Sequence, residues 1–317
     1  MAGKRRSGAS RSARAAWAGV GLAALAVVVM LLSFVALTAN RVVPQAGSTP
    51  GVTPPAADAA PTPAEPAAPA STPQTVPVPG RVLAAIDVGS AVRAIETQCP
   101  TSSTIETTFD AGATWQQFEA PAVSAVQRIF ADPDAYVSLI GLATEGCAPT
   151  YEQSYTGGEA WEPAPDELAA SWFVDPANRA GLHAPAGDRP APCGAVVQVA
   201  VFDENSAALL CEDGSVHATV DAGASWLPPA SVAGAAAIGV GADGYRVAVI
   251  NQNGCVGAQL VSLPVTADGL APGPHGACLP ATVAPGEAAV DSADDGTTWL
   301  WAGDALGRSA DGGATWL

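Results

Sequence analysis

One eight-residue pattern recurs along this chain: a hydroxyl residue, then Asp, Gly and Trp at fixed offsets. It stands at Thr108–Trp115, with Asp110, Gly112 and Trp115, and at Thr219–Trp226, with Asp221, Gly223 and Trp226. It stands again at Ser309–Trp316, with Asp311, Gly313 and Trp316, and a worn copy at Ser154–Trp161 keeps Gly158 and Trp161 but has lost its Asp. The local physics is that of a tight turn. An Asp carboxylate accepts from backbone N–H groups just ahead of it, and Gly supplies the positive φ of a hairpin. The indole then covers the turn and packs between strands. These aspartates therefore read as turn-formers rather than catalytic acids.

Spacing turns the motif into an architecture. Trp115 and Trp161 stand 46 positions apart, and Trp226 and Trp316 stand 90 apart, two steps of 45. The skipped step falls near Ala271, where Asp268-Gly269 keeps the turn and the aromatic is gone. The 65 positions from Trp161 to Trp226 hold one period plus an insertion, residues 162–193. Periods in the 40s with one turn each mark propeller blades, here about five in residues 81–317. A further match, Ser292–Trp299, lies only 17 positions before the last copy, too close for a four-stranded blade. It reads as an Asp-Gly hairpin turn inside the last blade, with Thr297–Ala302 as the following strand. Apolar runs such as Val196–Phe202, Ala207–Leu210, Ala235–Val240 and Tyr245–Ile250, bounded by turn residues, make the domain all-β. Within the insertion, Pro165–Trp172 suits a short helix. The chain stops just past the last box, so Val76–Ile86 is expected to return as the missing outer strand.

The pattern S/T-x-D-x-G-x-T/S-W is the Asp box, and the repeat region resembles the BNR-type repeats of sialidase-like and sortilin-like β-propellers. That resemblance implies boxes on the blade periphery, away from the ligand face. The region is also similar to BNR-like assembly factors that handle partly built membrane complexes, which implies a non-catalytic binding or assembly module. The alternative it implies is a sialidase-like glycoside hydrolase at the cell surface. Sialidases grip a substrate carboxylate with three arginines and use a Tyr nucleophile with a Glu partner. Here no Arg-Ile-Pro motif precedes the first box, and Arg179 and Arg189 fall in the insertion. Tyr151 and Tyr155 flank Glu152, yet Tyr155 occupies a box position. No catalytic residue is assigned.

The N-terminus gives an address. Residues 1–14 carry Lys4, Arg5, Arg6, Arg11 and Arg14, and residues 15–40 carry no charge. An apolar stretch of that length crosses a bilayer, and the flanking charges place the tail in the cytoplasm and the propeller outside. A cleaved signal peptide is the rival reading. Residues 41–80 read as a Pro/Ala/Thr-rich disordered linker, with 11 prolines in 42–80. From residue 81 onward seven arginines face 28 acids, which argues against nucleic acid or an anionic lipid face and suits solubility, cationic partners or metal ions. The partner expected from the extracytoplasmic address is an envelope protein or glycan.

Six cysteines, all beyond the span, suit three disulfides in an oxidising compartment. Blade equivalence favours Cys147–Cys193 and Cys255–Cys278, leaving Cys99–Cys211. Cys193–Cys211 with Cys99–Cys147 is the competing scheme. His183, His217 and His275 lack zinc-ligand spacing. No cofactor is expected; Asp203-Glu204 and Asp294-Asp295 could at most hold Ca²⁺ in loops. The insertion breaks the repeat and carries Trp172 and Phe173 beside acids, so these two are the candidate partner surface.

Overall fold

The computed structural model describes residues 75–118 and 121–317. The basic tail, the apolar span 15–40 and nearly all of the linker lie outside the described residues. No helix among the described residues is long and apolar enough to cross a membrane.

The described chain is all-β, a five-bladed propeller. Blade 1 comprises β1 (Arg81–Ala85), β2 (Ala91–Ile95), β3 (Thr104–Thr108) and β4 (Gln116–Gln117) in antiparallel order. Blade 2 repeats it with β5 (Val123–Ala131), β6 (Val137–Ala143), β7 (Pro149–Ser154) and β8 (Glu162–Pro163). A short helix, α1 (Pro165–Ala169), and a hairpin of β9 (Gly181–Ala184) and β10 (Gly187–Pro190) follow. Blade 3 is β11 (Val196–Val201), β12 (Ala207–Cys211), β13 (Ser215–Thr219) and β14 (Ala230–Ser231). Blade 4 holds β15 (Ala235–Gly241), β16 (Gly244–Ile250), β17 (Gly257–Thr266) and β18 (Gly269–Leu270), with β19 (Leu279–Pro280) also paired to β17. Blade 5 has three strands, β20 (Ala288–Ser292), β21 (Thr298–Ala302) and β22 (Ala305–Ser309). The turn Ala293–Thr297 joins β20 to β21, so the false sixth box is a hairpin turn as its spacing requires.

The inner strands are short apolar runs rich in alanine because they converge on one axis, where large side chains would collide. Gly239 on β15 sits so close to β20 that a Cβ there would lie 2.2 Å from the Val290 carbonyl oxygen. Inner strands of neighbouring blades are tied by side chains rather than by a ladder. Gln198 on β11 accepts from the Ile238 N–H on β15 at 2.9 Å, and Asp291 on β20 accepts from the Ala85 N–H on β1, also at 2.9 Å.

Two expectations fail here. The first strand does not close the last blade from outside. β1 is the innermost strand of blade 1, because its run Arg81–Ala85 is buried on both faces, as the axis requires and an outer edge does not. The preceding segment runs across the face that carries the β2–β3 and β12–β13 loops. Val76 donates to Glu212 O at 2.7 Å and buries among blades 3 and 4, and Gly80 donates to Gly286 O at 2.8 Å.

The disulfides also differ from blade equivalence. They are Cys99–Cys147, Cys193–Cys211 and Cys255–Cys278. Val196 at the start of β11 lies opposite Cys211 at the end of β12, so the lead-in to the hairpin carries Cys193 to its own blade partner. Cys99 and Cys147 lie in the β2–β3 and β6–β7 loops of adjacent blades and staple blade 1 to blade 2. Cys147–Cys193 and Cys99–Cys211 are thereby excluded.

Ring closure between blades 5 and 1 rests on Trp299, fully buried, whose indole N–H donates to Asp87 O at 2.9 Å. Trp299→Ala removes that bond and opens a cavity at the closing seam. A loss of about 3–5 kcal/mol is expected in denaturant-induced unfolding, and an unchanged midpoint would show that the seam lies elsewhere.

Candidate functional site

The box turns share one hydrogen-bonding scheme. Asp110 accepts from Thr108 Oγ1 at 2.8 Å, the Thr114 N–H at 2.8 Å and Thr114 Oγ1 at 2.6 Å. Asp221 does the same with Thr219 and Ser225, and Asp311 with Ser309 and Thr315. In the worn copy Thr156 stands in for the missing carboxylate, accepting from the Ala160 N–H at 2.9 Å. Gly112, Gly158, Gly223 and Gly313 all have positive φ, from 76° to 95°. Each of these glycines also presses on what precedes its blade in the ring. Gly158 meets Phe118 of blade 1, Gly313 meets Leu260 of blade 4, and Gly112 meets Leu306 of blade 5. A side chain at these positions would strain the turn and force those neighbouring side chains to shift.

Gly223 of blade 3 meets no strand of blade 2; it packs on the Trp172 ring. This defines the insertion. Phe173 and His183 exchange backbone hydrogen bonds, so residues 172–174 join the β9–β10 hairpin as a third, single-bridge strand. On one side Trp172, Val174, Leu182 and Ala184 bury against Val196, Leu209 and Ala222 of blade 3. On the other, Phe173 packs on Ile140 and Tyr151 of blade 2. Gln127 on β5 accepts from the Val174 N–H at 3.0 Å, as Gln198 does from the next inner strand. The insertion is a wedge that fills the ring between blades 2 and 3. Trp172 is only 2% exposed, and Phe173 stacks on the His183 ring at 4.7 Å. The pair therefore seals the ring instead of displaying a surface, because the gap between the two blades needs apolar filling on both sides.

Beside the wedge lies a cavity of about 490 Å³, a size suited to a small ligand. Its walls come from the strap Val78–Arg81, the end of β2 with Glu96, Gln127 and Arg128 of β5, Trp172–Val174 and Arg179 of the wedge, and the start of β11. Arg179 Nε donates to Val196 O at 2.6 Å, and Arg128 Nη1 to Trp172 O at 3.4 Å. Three buried donors at this cavity have no partner: Arg179 Nη2, Gln127 Nε2 and Trp172 Nε1. Such groups cost about 1–3 kcal/mol each, so three of them on residues that line one cavity single it out. Glu96 faces the same space, and burial pushes its carboxyl up to about 8. The cavity meets the central channel, about 370 Å³, along Gln127, Arg128 and Gln198. In that channel burial raises Asp291 to about 7, against the hydrogen bond from Ala85. Glu96, Gln127 and Arg128 are absent from the motif reading because nothing in their spacing marks them. Only the fold brings them together.

Tyr151 and Tyr155, which flank Glu152, sit in different settings. Tyr151 is 8% exposed with its hydroxyl 3.0 Å from that of Tyr136, while Tyr155 is exposed on a turn. Among the described residues no group of three or more His, Cys, Asp or Glu is placed to hold a metal.

No family model matches the chain, and no curated protein matches it. It is similar to a periplasmic gluconolactonase from Pseudomonas aeruginosa, at 14% identity and TM-score 0.39, covering 75% of this chain and 84% of that one. It is similar to a Hadza microbial sialidase at 12% and 0.36, covering 77% and 58%. It is also similar to YCF48 bound to D1 peptide, at 14% and 0.28, covering 78% and 67%. The five-bladed assignment rests on this chain's own strand order, not on these likenesses.

The shifted carboxyls set a pH profile with two limbs. Hydrogen bonds from Ser225 and Ser309 first, then from the turn backbone, hold Asp221 and Asp311 at about 2. Their stabilisation is present above the unfolded value near ~4 and is lost as pH falls toward 2. Glu96 and Asp291 are raised, so the folded state holds protons the unfolded chain releases, and stability falls as pH rises from ~4 through 7 and 8. The melting temperature should peak between these limbs. Glu96→Gln should flatten the alkaline limb, and an unchanged limb would remove Glu96 from this account.

Proposed function

We propose that this protein is a membrane-anchored, extracytoplasmic β-propeller of the Asp-box type that works as a non-catalytic binding or assembly module. The observation that carries the reading is the wedge-side cavity. Its lining offers guanidinium and amide donors and a single carboxyl, Glu96. Most glycosidases need two carboxyls across one bond, and sialidases need an accessible Tyr. Here neither Tyr151, whose hydroxyl is bound to Tyr136, nor the exposed Tyr155 of the worn box lines this cavity. Three disulfides and no free cysteine suit an oxidising compartment, and the uncharged residues 15–40 supply the anchor in this reading.

Two measurements test it. The full chain in detergent should leave a fluorogenic sialoside intact, and turnover abolished by Tyr151→Phe would replace the binding reading with the hydrolase one. Protease added to intact cells should cut within residues 42–80 and release the propeller whole. Protection until lysis would reverse the proposed topology.

A further inference from the structure

The box turns and the inner hairpin turns lie on one face. Ala111 donates to Gly89 O, Gly157 to Ala135 O and Ala222 to Asn205 O, tying the two kinds of turn together in blades 1, 2 and 3. Among the described residues, the strap Val76–Gly80 lies on the opposite face.

The face of the box turns carries most of the exposed apolar bulk among the described residues. Val88, Phe109, Phe130, Tyr155, Phe202 and Val220 are 48–69% exposed, and all sit in these turns or at the strand ends that feed them. Phe130, Tyr136 and Tyr155 form a row on blade 2, with ring centroids 6.0 and 5.2 Å apart. Phe130 and Phe202 line the mouth of the central channel. Exposed aromatics grouped on one face of a soluble domain mark an interaction site.

The rim decides the occupant. Every inner hairpin turn carries acid: Asp87, Asp132 with Asp134, Asp203 with Glu204, Asp243, and Asp294 with Asp295. Asp87, Asp132 and Asp203 each spend one oxygen on two backbone N–H groups of their own turn. Cations near this face are already engaged. Arg246 pairs with Asp243 at 2.8 Å, Arg308 donates to Val88 O, and Arg189 donates to Asp188 O and Ala186 O.

We propose that this face docks a lysine- or arginine-rich protein segment, with an apolar side chain of that segment seated between Phe130 and Phe202 and its cations on the surrounding carboxylates. The proposal deepens the binding-module reading and rests on it. The acid ring steers association and the aromatics hold the bound state, so affinity needs both.

The full chain in zwitterionic nanodiscs, with empty discs subtracted, should bind a fluorescent twelve-residue Lys–Phe-rich peptide in anisotropy titrations. A Lys–Ser peptide and a Glu–Phe peptide of equal length should bind at least about tenfold more weakly, a margin of about 1.4 kcal/mol. Phe130→Ser with Phe202→Ser should cost about tenfold with an unchanged melting temperature, these side chains being half exposed. Asp134→Asn, Glu204→Gln and Asp294→Asn together should weaken binding and flatten its salt dependence. Equal binding of the Lys–Ser peptide would reduce the face to a non-specific anionic surface and overturn the proposal. So would wild-type affinity in both variants. The same nanodiscs, assayed with the sialoside, keep the two readings apart: turnover sinks the binding module itself, whereas loss of peptide discrimination without turnover sinks only this docking face.

Discussion

A propeller is a ring of sheets whose inner strands must meet without a hydrogen-bonded ladder between blades, and the rest of this molecule depends on how that junction is made. Here it is made by small residues and borrowed acceptors. Gly239 lets β15 approach β20, while Gln127, Gln198 and Asp291 each reach forward to a backbone N–H of the next element in the ring. An unpaired inner-edge N–H would cost as much as a lost hydrogen bond, so these polar residues on otherwise apolar strands are structural in the first instance. The glycines of the box turns repeat the device at the periphery, each pressed on its predecessor. Inner and outer seams thus run in opposite senses around the ring, one reaching forward and the other resting back.

The wedge obeys the same two rules, which is why it belongs to the ring. Val174 receives the acceptor from Gln127 as an inner strand would, and Trp172 receives Gly223 as a preceding blade would. Yet the wedge is an incomplete substitute. Its small three-stranded sheet leaves space beside β5 and β11, and that space is the cavity with its unpartnered donors. The candidate site is therefore a by-product of how the chain filled a gap, and its chemistry is set by whichever polar side chains border the gap.

Much of the fold was legible in the residues. Runs such as Val196–Phe202 and Tyr245–Ile250 match β11 and β16 within one residue, because period, turn chemistry and β-branched content all point the same way. The false box at Ser292 was separable by length alone. What failed was reasoning by repeat equivalence. Cys147 and Cys193 stand to each other in sequence as Cys255 and Cys278 do, but the wedge lies between blades 2 and 3, so Cys193 pairs within its own blade and Cys147 pairs back to blade 1. Trp172 and Phe173 were visible as a break in the period. Whether such a break protrudes or fills depends on the gap between two blades, a quantity no local pattern encodes. Glu96, Gln127 and Arg128 were invisible for the same reason: they meet only across blade boundaries.

The placement of β1 at the axis, with Val76 and Gly80 pinned on one face, has a mechanical meaning. A propeller closed from outside by its N-terminal strand would yield to tension like a zipper, one edge bond at a time. In this chain a pull at the N-terminus first shears Val76 from its apolar seat and Gly80 from Gly286, and then bears on a strand paired along its whole length with β2. Peeling is geometrically unavailable, since extracting β1 means breaking its contacts with blades 2 and 5 together. Cys99–Cys147 clamps the adjoining blade boundary. Load on this chain is therefore met by shear along β1 and not by unzipping of an outer edge.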